Sequence, residues 1–166
     1  MTTHVMGLDP GTATTGYGIV EGEIDSLVLV EYGAIITPAG LPMPERLGLI
    51  YDRLSELLSR HVIAALSVEK LFFNRNVSTV LMVGQARGVM LLAAYQARIP
   101  VYEYTPLEVK QALVGYGRAS KDQMQQMVRM ILRLDHAPRP DDAADALANA
   151  ICHVQSARMR DLIRNS

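Results

Sequence analysis

The sequence predicts an α/β fold in which a mixed five-stranded sheet, with its first three strands antiparallel, carries helices on both faces. Three strand-like segments come first, joined by short glycine-containing turns, and such a series favours an antiparallel meander. Helical and extended segments then alternate, which is typical of βαβ crossovers. With 166 residues, 49% of them hydrophobic, the chain is expected to form one domain over residues 1–166.

The individual elements are predicted from hydrophobic periodicity and from turn and capping residues. Strands are placed where short apolar runs end at turn residues, as at Asp9. Helices are placed where apolar side chains recur at helical spacing, with Pro44, Ser78 and Asp141 near their starts as first-turn or capping residues. The predicted strands are His4–Leu8, Tyr17–Glu21, Ser26–Thr37, Val62–Val68 and Ile99–Tyr104, and the predicted helices are Glu45–Arg60, Thr79–Ala97, Pro106–Val114, Lys121–Leu134 and Asp141–Ala157.

The predicted helix at Thr79–Ala97 is apolar nearly all round. One face can pack on the sheet, and the other needs a second cover, which a partner subunit would provide. We therefore expect a homodimer. Gln85 and Arg87 interrupt the apolar run, so it is not expected to span a bilayer.

Charge is distributed unevenly along a chain whose net charge is −1. Residues 1–69 carry a net charge of −6, residues 70–133 carry +6, and the remainder carries −1. So basic a middle third suggests a surface for a polyanion, with a chance imbalance of surface charges as the alternative. A cytoplasmic location is expected, because the N-terminus lacks the features of a signal peptide and Cys152 is the only cysteine.

Four acidic residues are positioned to share a site. Asp9 and Glu69 end the first and fourth predicted strands, where the sites of open α/β sheets lie. Asp142 and Asp145 are three residues apart on the last helix, so they share a face. Each acid alone could be a turn, cap or surface residue, but clustered carboxylates need a cation, and their oxygens favour Mg²⁺ or Mn²⁺. Together they predict phosphodiester hydrolysis assisted by two metal ions.

Several blocks of the sequence resemble the RuvC-type Holliday-junction resolvases of bacteria, which belong to the RNase H-like, retroviral-integrase superfamily. The blocks are GLDPGTATTGYGIV, SVEKLFF, VGQARGV, VKQALVGYGRASK and PDDAADALANAICH, in the family's order between His4 and His153. The resemblance implies an RNase H-like fold and a homodimeric endonuclease that resolves four-way DNA junctions in recombination and repair. Paired symmetric nicks would leave 5′-phosphate and 3′-hydroxyl ends, and a branch-migration complex of the RuvA/RuvB type would be a partner.

The resemblance also assigns the four acids to catalysis and metal binding. Asp9, Glu69 and Asp145 match acidic positions of the family, and Asp142 stands where relatives carry aspartate or histidine. In this hypothesis Asp9 bridges two Mg²⁺ ions and Glu69 holds one of them. Asp142 and Asp145 hold or orient the other, with Mn²⁺ able to substitute. Asp141 is excluded as a ligand because its register on the helix differs.

For DNA binding, the resemblance points to one aromatic and three basic residues. Phe72 would stack on a base near the junction centre, an interaction worth roughly 1–3 kcal/mol that needs no sequence readout; a core phenylalanine is the alternative. Arg75, Lys110 and Lys121 match positions associated with contacts to the DNA backbone. Ala13 departs from relatives that carry a basic residue there, so any DNA contact at that hairpin must differ.

Three other interpretations have some support in the sequence. The segment DPGTATTGYG also resembles the phosphate loop of actin-like ATPases and sugar kinases, but those proteins pair two such domains and 166 residues accommodate one. An RNase H-like nuclease acting on RNA stays open, because discrimination by the 2′-hydroxyl depends on site geometry. A non-catalytic, junction-binding dimer is the remaining alternative, although all four acids are present.

Overall fold

The computed structural model describes residues 4–72 and 76–164, and its elements follow the predicted order. A three-residue 3₁₀ helix, Ile24–Ser26, is added between the second and third strands. The strands are β1 (His4–Asp9), β2 (Thr14–Glu21), β3 (Val28–Ile36), β4 (Ile63–Glu69) and β5 (Val101–Tyr104). The helices are α1 (Met43–Arg60), α2 (Val77–Gln96), α3 (Pro106–Val114), α4 (Lys121–Ile131) and α5 (Asp141–Arg164).

The five strands form one mixed sheet in the order β3-β2-β1-β4-β5. β1 pairs antiparallel with β2, and β2 pairs antiparallel with β3, whereas β4 runs parallel to both β1 and β5. The predicted fold class is therefore confirmed. Leu8 lies opposite Val68 in the parallel pair, so Asp9 and Glu69 emerge side by side at one edge of the sheet.

Helices cover both faces of the sheet and enclose two hydrophobic cores. On one face, α3, α4 and α5 bury residues such as Val109, Val128 and Ile151. On the other face, α1 and α2 bury residues such as Leu54 and Met90. Cys152 is buried in the first of these cores, as expected of a small apolar side chain.

Glycines in the two central strands allow α5 to touch the sheet directly. A Cβ added to Gly7 would lie 1.8 Å from the carbonyl oxygen of Ala146, and one added to Gly16 would lie 1.9 Å from that of Asp142. Any larger residue would push the helix away, because real Cβ atoms do not approach backbone so closely. The contact fixes the first turns of α5, which carry Asp142 and Asp145, beside β1.

Two predicted capping residues were wrong. Ser78 lies inside α2, and Asn76 is the cap, its Oδ1 accepting from the Ser78 backbone N–H at 3.0 Å. Asp141 is the first residue of α5 and not the residue before it. Pro44 lies in the first turn of α1, as predicted.

The last helix is longer than predicted. It continues past Ala157 to Arg164, so the basic residues Arg158, Arg160 and Arg164 are helical. No proline or glycine interrupts that stretch, and Arg158 forms an ion pair with Asp25 at 2.6 Å. The last turns therefore gain support from the 3₁₀ segment.

The helix α2 packs on the sheet through one face and exposes apolar side chains on another. Ala86, Met90 and Ala94 are buried, whereas Leu92 is 50% and Tyr95 80% exposed. By length and mean hydropathy, 1.5 over its apolar window, α2 could cross a membrane. A helix that packs on the sheet of a soluble protein passes the same test, so the expectation that this run does not span a bilayer stays a prediction.

Candidate active site

The carboxyl edge of β1 and β4 opens into a cleft of ≈ 590 Å³. Asp9 and Glu69 reach it from the strand ends, and Asp142 and Asp145 reach it from the first turns of α5. All four acids predicted to form a site are thus brought to one place. Their catalytic and metal-binding roles stay predictions.

The carboxyl groups of the cleft are close together and partly buried, and both conditions disfavour their charged forms. Burial, followed by the charges of Asp145 and Asp142, raises the pKa of Asp9 to about 8; a hydrogen bond with Asp142 and the charge of Glu69 act in the same direction. Burial also raises the pKa of Asp145, against the lowering effect of Lys121. These groups therefore favour a cation among them.

Lys121 supplies part of that positive charge. It is the first residue of α4, which is capped by Ser120, and its Nζ lies 3.3 Å from Oδ2 of Asp145. Burial alone would lower the pKa of Lys121, but Asp145 and the neighbouring acids outweigh that effect and raise it. Lys121 was predicted as a contact to the DNA backbone, yet here its ammonium group lies against a carboxylate of the site.

Asp141 is turned away from this cluster. Its carboxylate accepts from Nε2 of Gln125 at 3.0 Å and from Arg139 at 2.5 Å, and it lies 3.7 Å from Lys121. The hydrogen bond from Gln125 is the largest cause that lowers the pKa of Asp141. Asp141 is not among the residues that line the cleft, and its exclusion as a ligand stays a prediction.

The donor set suits a hard divalent cation, but the side chains are not arranged as a finished metal site. Across residues 4–72 and 76–164, no three acidic, histidine or cysteine side chains converge closely enough to hold an ion. The excess negative charge around Asp9 is the observation that favours one. Asp9, Glu69, Asp142 and Asp145 are the residues that would hold such an ion.

The other side of the cleft carries basic and aromatic residues. Lys110 and Phe72 line it, and their roles in DNA binding stay predictions. Phe72 is 48% exposed, so its ring is available to a ligand and is not a core side chain. Lys70 and Arg87 also line the cleft and were not singled out from the sequence. Every basic residue of the lining comes from residues 70–133, the stretch with the positive net charge. The predicted DNA contact Arg75 lies outside the described residues.

Asn149 is a further cleft residue that sequence reasoning missed. It lies in the Ala-rich, apolar stretch AADALANAI of the last helix, and its side chain is buried against β1. The available signal was a lone amide among alanines and leucines in mid-helix, since such a residue needs a hydrogen-bond partner when buried.

A sheet of this order, with acids at the ends of β1 and β4 and on the last helix, defines an RNase H-like fold with a nuclease-type site. The sequence matches the family described as crossover junction endodeoxyribonuclease RuvC over residues 5–153. The chain belongs to this family.

Curated relatives and solved structures agree with this assignment. The crossover junction endodeoxyribonuclease RuvC of Syntrophomonas wolfei is 55% identical over 98% of this chain and 94% of its own length. That of Chloroflexus aggregans is 59% identical over 93% and 94%. The structure of T. thermophilus RuvC in complex with a Holliday junction substrate superimposes with a TM-score of 0.90 at 42% identity, covering 95% of this chain and 96% of that one. The yeast mitochondrial Holliday junction resolvase, 14% identical with a TM-score of 0.70 over 98% and 84%, shares the fold.

Proposed function

We propose that this protein is a structure-specific endonuclease that resolves four-way DNA junctions by metal-dependent hydrolysis. The observation that carries the proposal is one cleft in which four carboxylates face basic and aromatic side chains. Relatives that bear the name crossover junction endodeoxyribonuclease support the choice of DNA junctions as substrate.

The proposed cofactor is Mg²⁺, with two ions in each site and Mn²⁺ able to replace it. Asp9 is the central ligand in this proposal, because it interacts with Glu69, Asp142 and Asp145 alike. Bound ions would supply an activated water and stabilise charge on the leaving 3′-oxygen. Attack of that water on phosphorus with breakage of the P–O3′ bond would leave 5′-phosphate and 3′-hydroxyl ends. Lys121 balances the charge of Asp145 when no cation does.

On the DNA side, the residues of the cleft wall hold the junction in place. Lys110, like the unpredicted Lys70, offers an ammonium group to the phosphate backbone. Phe72 stacks on an unpaired base. Because stacking and phosphate contacts carry little sequence information, these residues favour a distorted DNA shape over a particular sequence.

We further propose a homodimer formed through the α2 stripe, which is Leu81, Gly88, Leu92 and Tyr95. These residues recur at helical spacing on one exposed face, and a second copy would remove that apolar surface from water. Two copies related by a two-fold axis present two identical sites, which suits paired, symmetric nicks in two strands.

The wider setting is part of the same proposal. Residues 1–166 would act as one nuclease domain in the cytoplasm, beside a branch-migration complex that delivers the junction. The family membership of the chain supports this setting.

Cleavage of a synthetic four-way DNA junction is the experiment that tests the function. The junction is compared with a matched linear duplex and an RNA hairpin, each with Mg²⁺ and with chelator. We expect metal-dependent paired nicks on the junction alone, loss of cleavage in Asp145→Asn, and wild-type activity in Asp135→Asn, which changes an exposed acid outside the cleft.

Each other outcome contradicts part of the proposal. Cleavage of RNA but not of the junction would move the function to RNA processing. Tight junction binding without any cleavage would make the protein a binding module. Full activity of Asp145→Asn would remove that residue from the site.

A further inference from the structure

One residue of α5 joins the helix to both strands that carry the candidate acids. The side-chain Nδ2 of Asn149 donates to the carbonyl oxygen of Leu8 in β1 at 2.9 Å. The backbone carbonyl oxygen of the same residue accepts from the hydroxyl of Ser67 in β4 at 2.7 Å. A single position on the helix is therefore fixed to β1 and β4 by two buried hydrogen bonds.

Both bonds lie in surroundings that make them hard to replace. Asn149 is 2% exposed and Ser67 is fully buried. A carbonyl oxygen can only accept, so a side chain without a donor would leave the Leu8 contact unmade. Losing one partner of a buried hydrogen bond costs more than the bond itself contributes, because the remaining group cannot reach water.

The two bonds are close in sequence to the acids. Asp9 directly follows Leu8, and Glu69 comes two residues after Ser67. Asp145 precedes Asn149 by four residues, so the two share one face of α5, and both line the cleft. The glycine contacts set how closely α5 approaches the sheet, but glycines offer no side chain that would stop the helix from sliding along the sheet. Hydrogen bonds are directional, so they prevent this sliding.

We propose that Asn149 and Ser67 are positioning residues that set the register of α5 against β1 and β4, and thereby the spacing of Asp145 from Asp9 and Glu69. The inference rests on the proposed nuclease function and deepens it. Catalytic geometry is sensitive to such shifts, since a displacement of about 1 Å can reduce a rate roughly 100-fold.

The variant Asn149→Leu tests the proposal, because leucine has a similar size and no donor. Its matched control is Tyr104→Phe. Tyr104 also forms a buried hydrogen bond to α5, through its hydroxyl and Nδ1 of His153 at 2.8 Å, but it lies on β5, which carries none of the four acids. Ser67→Ala is a milder second variant that removes only the bond to β4.

Four measurements separate positioning from folding. They are the thermal unfolding temperature, the single-turnover cleavage rate with saturating junction, the junction Kd, and the affinity for Mn²⁺ by isothermal titration calorimetry without DNA. We expect Asn149→Leu to lower the cleavage rate by at least about tenfold and to weaken Mn²⁺ binding, with the junction Kd within about threefold of wild type. Ser67→Ala should change the same two quantities less. Tyr104→Phe should leave both unchanged despite a comparable loss of unfolding temperature.

The outcomes that overturn the inference differ from those that overturn the function. If wild type cleaves the junction and Asn149→Leu cleaves and binds Mn²⁺ as well as it does, the positioning role is wrong and the function stands. If Tyr104→Phe loses rate in proportion to its stability, the role is merely structural. If wild type cleaves nothing, the function fails, and the Mn²⁺ affinities of the three variants still decide the inference.

Discussion

Of the two longest helices of the molecule, α2 is the more apolar but the less buried, and α5 is the less apolar but the more buried. α2 is apolar nearly all round, yet it buries only five side chains. α5 begins with two aspartates and is less apolar, yet all but one of residues 143–153 are buried. α5 lies on glycines and α2 does not, so the surface opposite a helix decides its burial as much as its own side chains do.

The two helices also support two different functions. The buried half of α5 supports the candidate site, because its backbone touches β1 and β2 and its first turns carry two of the acids. The exposed side of α2 supports the proposed dimer. Four predictions test this difference between the two helices.

The largest effect is expected where α5 touches the sheet. In Gly7→Ala the added methyl group would collide with the carbonyl oxygen of Ala146, so α5 must move. We expect a loss of about 3 kcal/mol or more in the free energy of unfolding, at the upper end for overpacked cores, together with loss of cleavage. Urea unfolding and the junction assay measure the two effects.

The control is Gly48→Ala in α1, where nothing lies within 4 Å of the added Cβ. This change should stabilise the helix by roughly 0.5–1 kcal/mol. If both variants behave alike, direct contact with glycine is not what holds α5 on the sheet.

The next effect concerns the exposed side of α2. In Leu92→Glu a charge is placed in the α2 stripe, and two copies would each have to bury it. We expect the dimer dissociation constant to rise by about 100-fold or more, while the subunit stays folded. Light scattering over a range of concentrations measures this shift.

Met130→Glu in α4 is the matched control, since Met130 is also exposed but lies outside the stripe. It should leave the dimer intact. A wild-type protein that is monomeric at micromolar concentration would contradict the dimer itself.

A smaller effect is expected from the buried half of α5 as the pH falls. Burial, with a further contribution from the charge of Arg160, lowers the pKa of His153 to about 4, below the usual 6.5 of the unfolded chain. Between pH 6.5 and 4 the unfolded state therefore binds a proton that the native state does not. Stability is retained above pH 6.5 and lost as the pH falls through this window. From pH 7 to 4.5 this group alone should cost about 2 kcal/mol.

The variant His153→Gln isolates that contribution, because glutamine does not titrate and keeps a polar group near Tyr104. The stability difference between wild type and variant, from urea midpoints, should change with pH by the amount given above. A difference that stays constant from pH 7 to 4.5 would mean that His153 accepts its proton in the native state.

The smallest effect is expected at the C-terminal end of α5, which, like one side of α2, is exposed. Arg158→Ala removes an ion pair with Asp25, and both side chains are largely exposed. Such pairs contribute about 0–1 kcal/mol. We expect unchanged cleavage and a change in unfolding free energy below about 0.5 kcal/mol, and a larger loss would show that the last turns carry part of the fold.

The order and type of the elements could be predicted because each has its own periodicity. The residues at which helices begin and end were harder to predict. Asn76 and Ser78 are both good capping residues two positions apart, and only the backbone path decides between them. α5 was expected to end at Ala157, but no residue there breaks a helix.

The sequence was sufficient to predict which acids lie together. Strand ends and helix register place four of them at one edge of the sheet, namely Asp9, Glu69, Asp142 and Asp145. Contacts between elements that are distant in sequence could not be predicted. The ion pair of Lys121 with Asp145 depends on how α4 packs on α5. The bond from Asn149 to Leu8 spans 141 residues, and no local pattern encodes it.

The glycine contact between α5 and the sheet has a consequence for changing this enzyme. Most helices rest on a layer of side chains, and exchanging those side chains is how laboratory selection adjusts the distance between two catalytic elements. At Gly7 and Gly16 backbone meets backbone, so at these two positions, beside the acids of α5, there is no side chain to exchange. Variants with a wider or narrower spacing of acids should therefore arise from longer or shorter side chains at the acidic positions themselves, and seldom from substitutions beneath the helix.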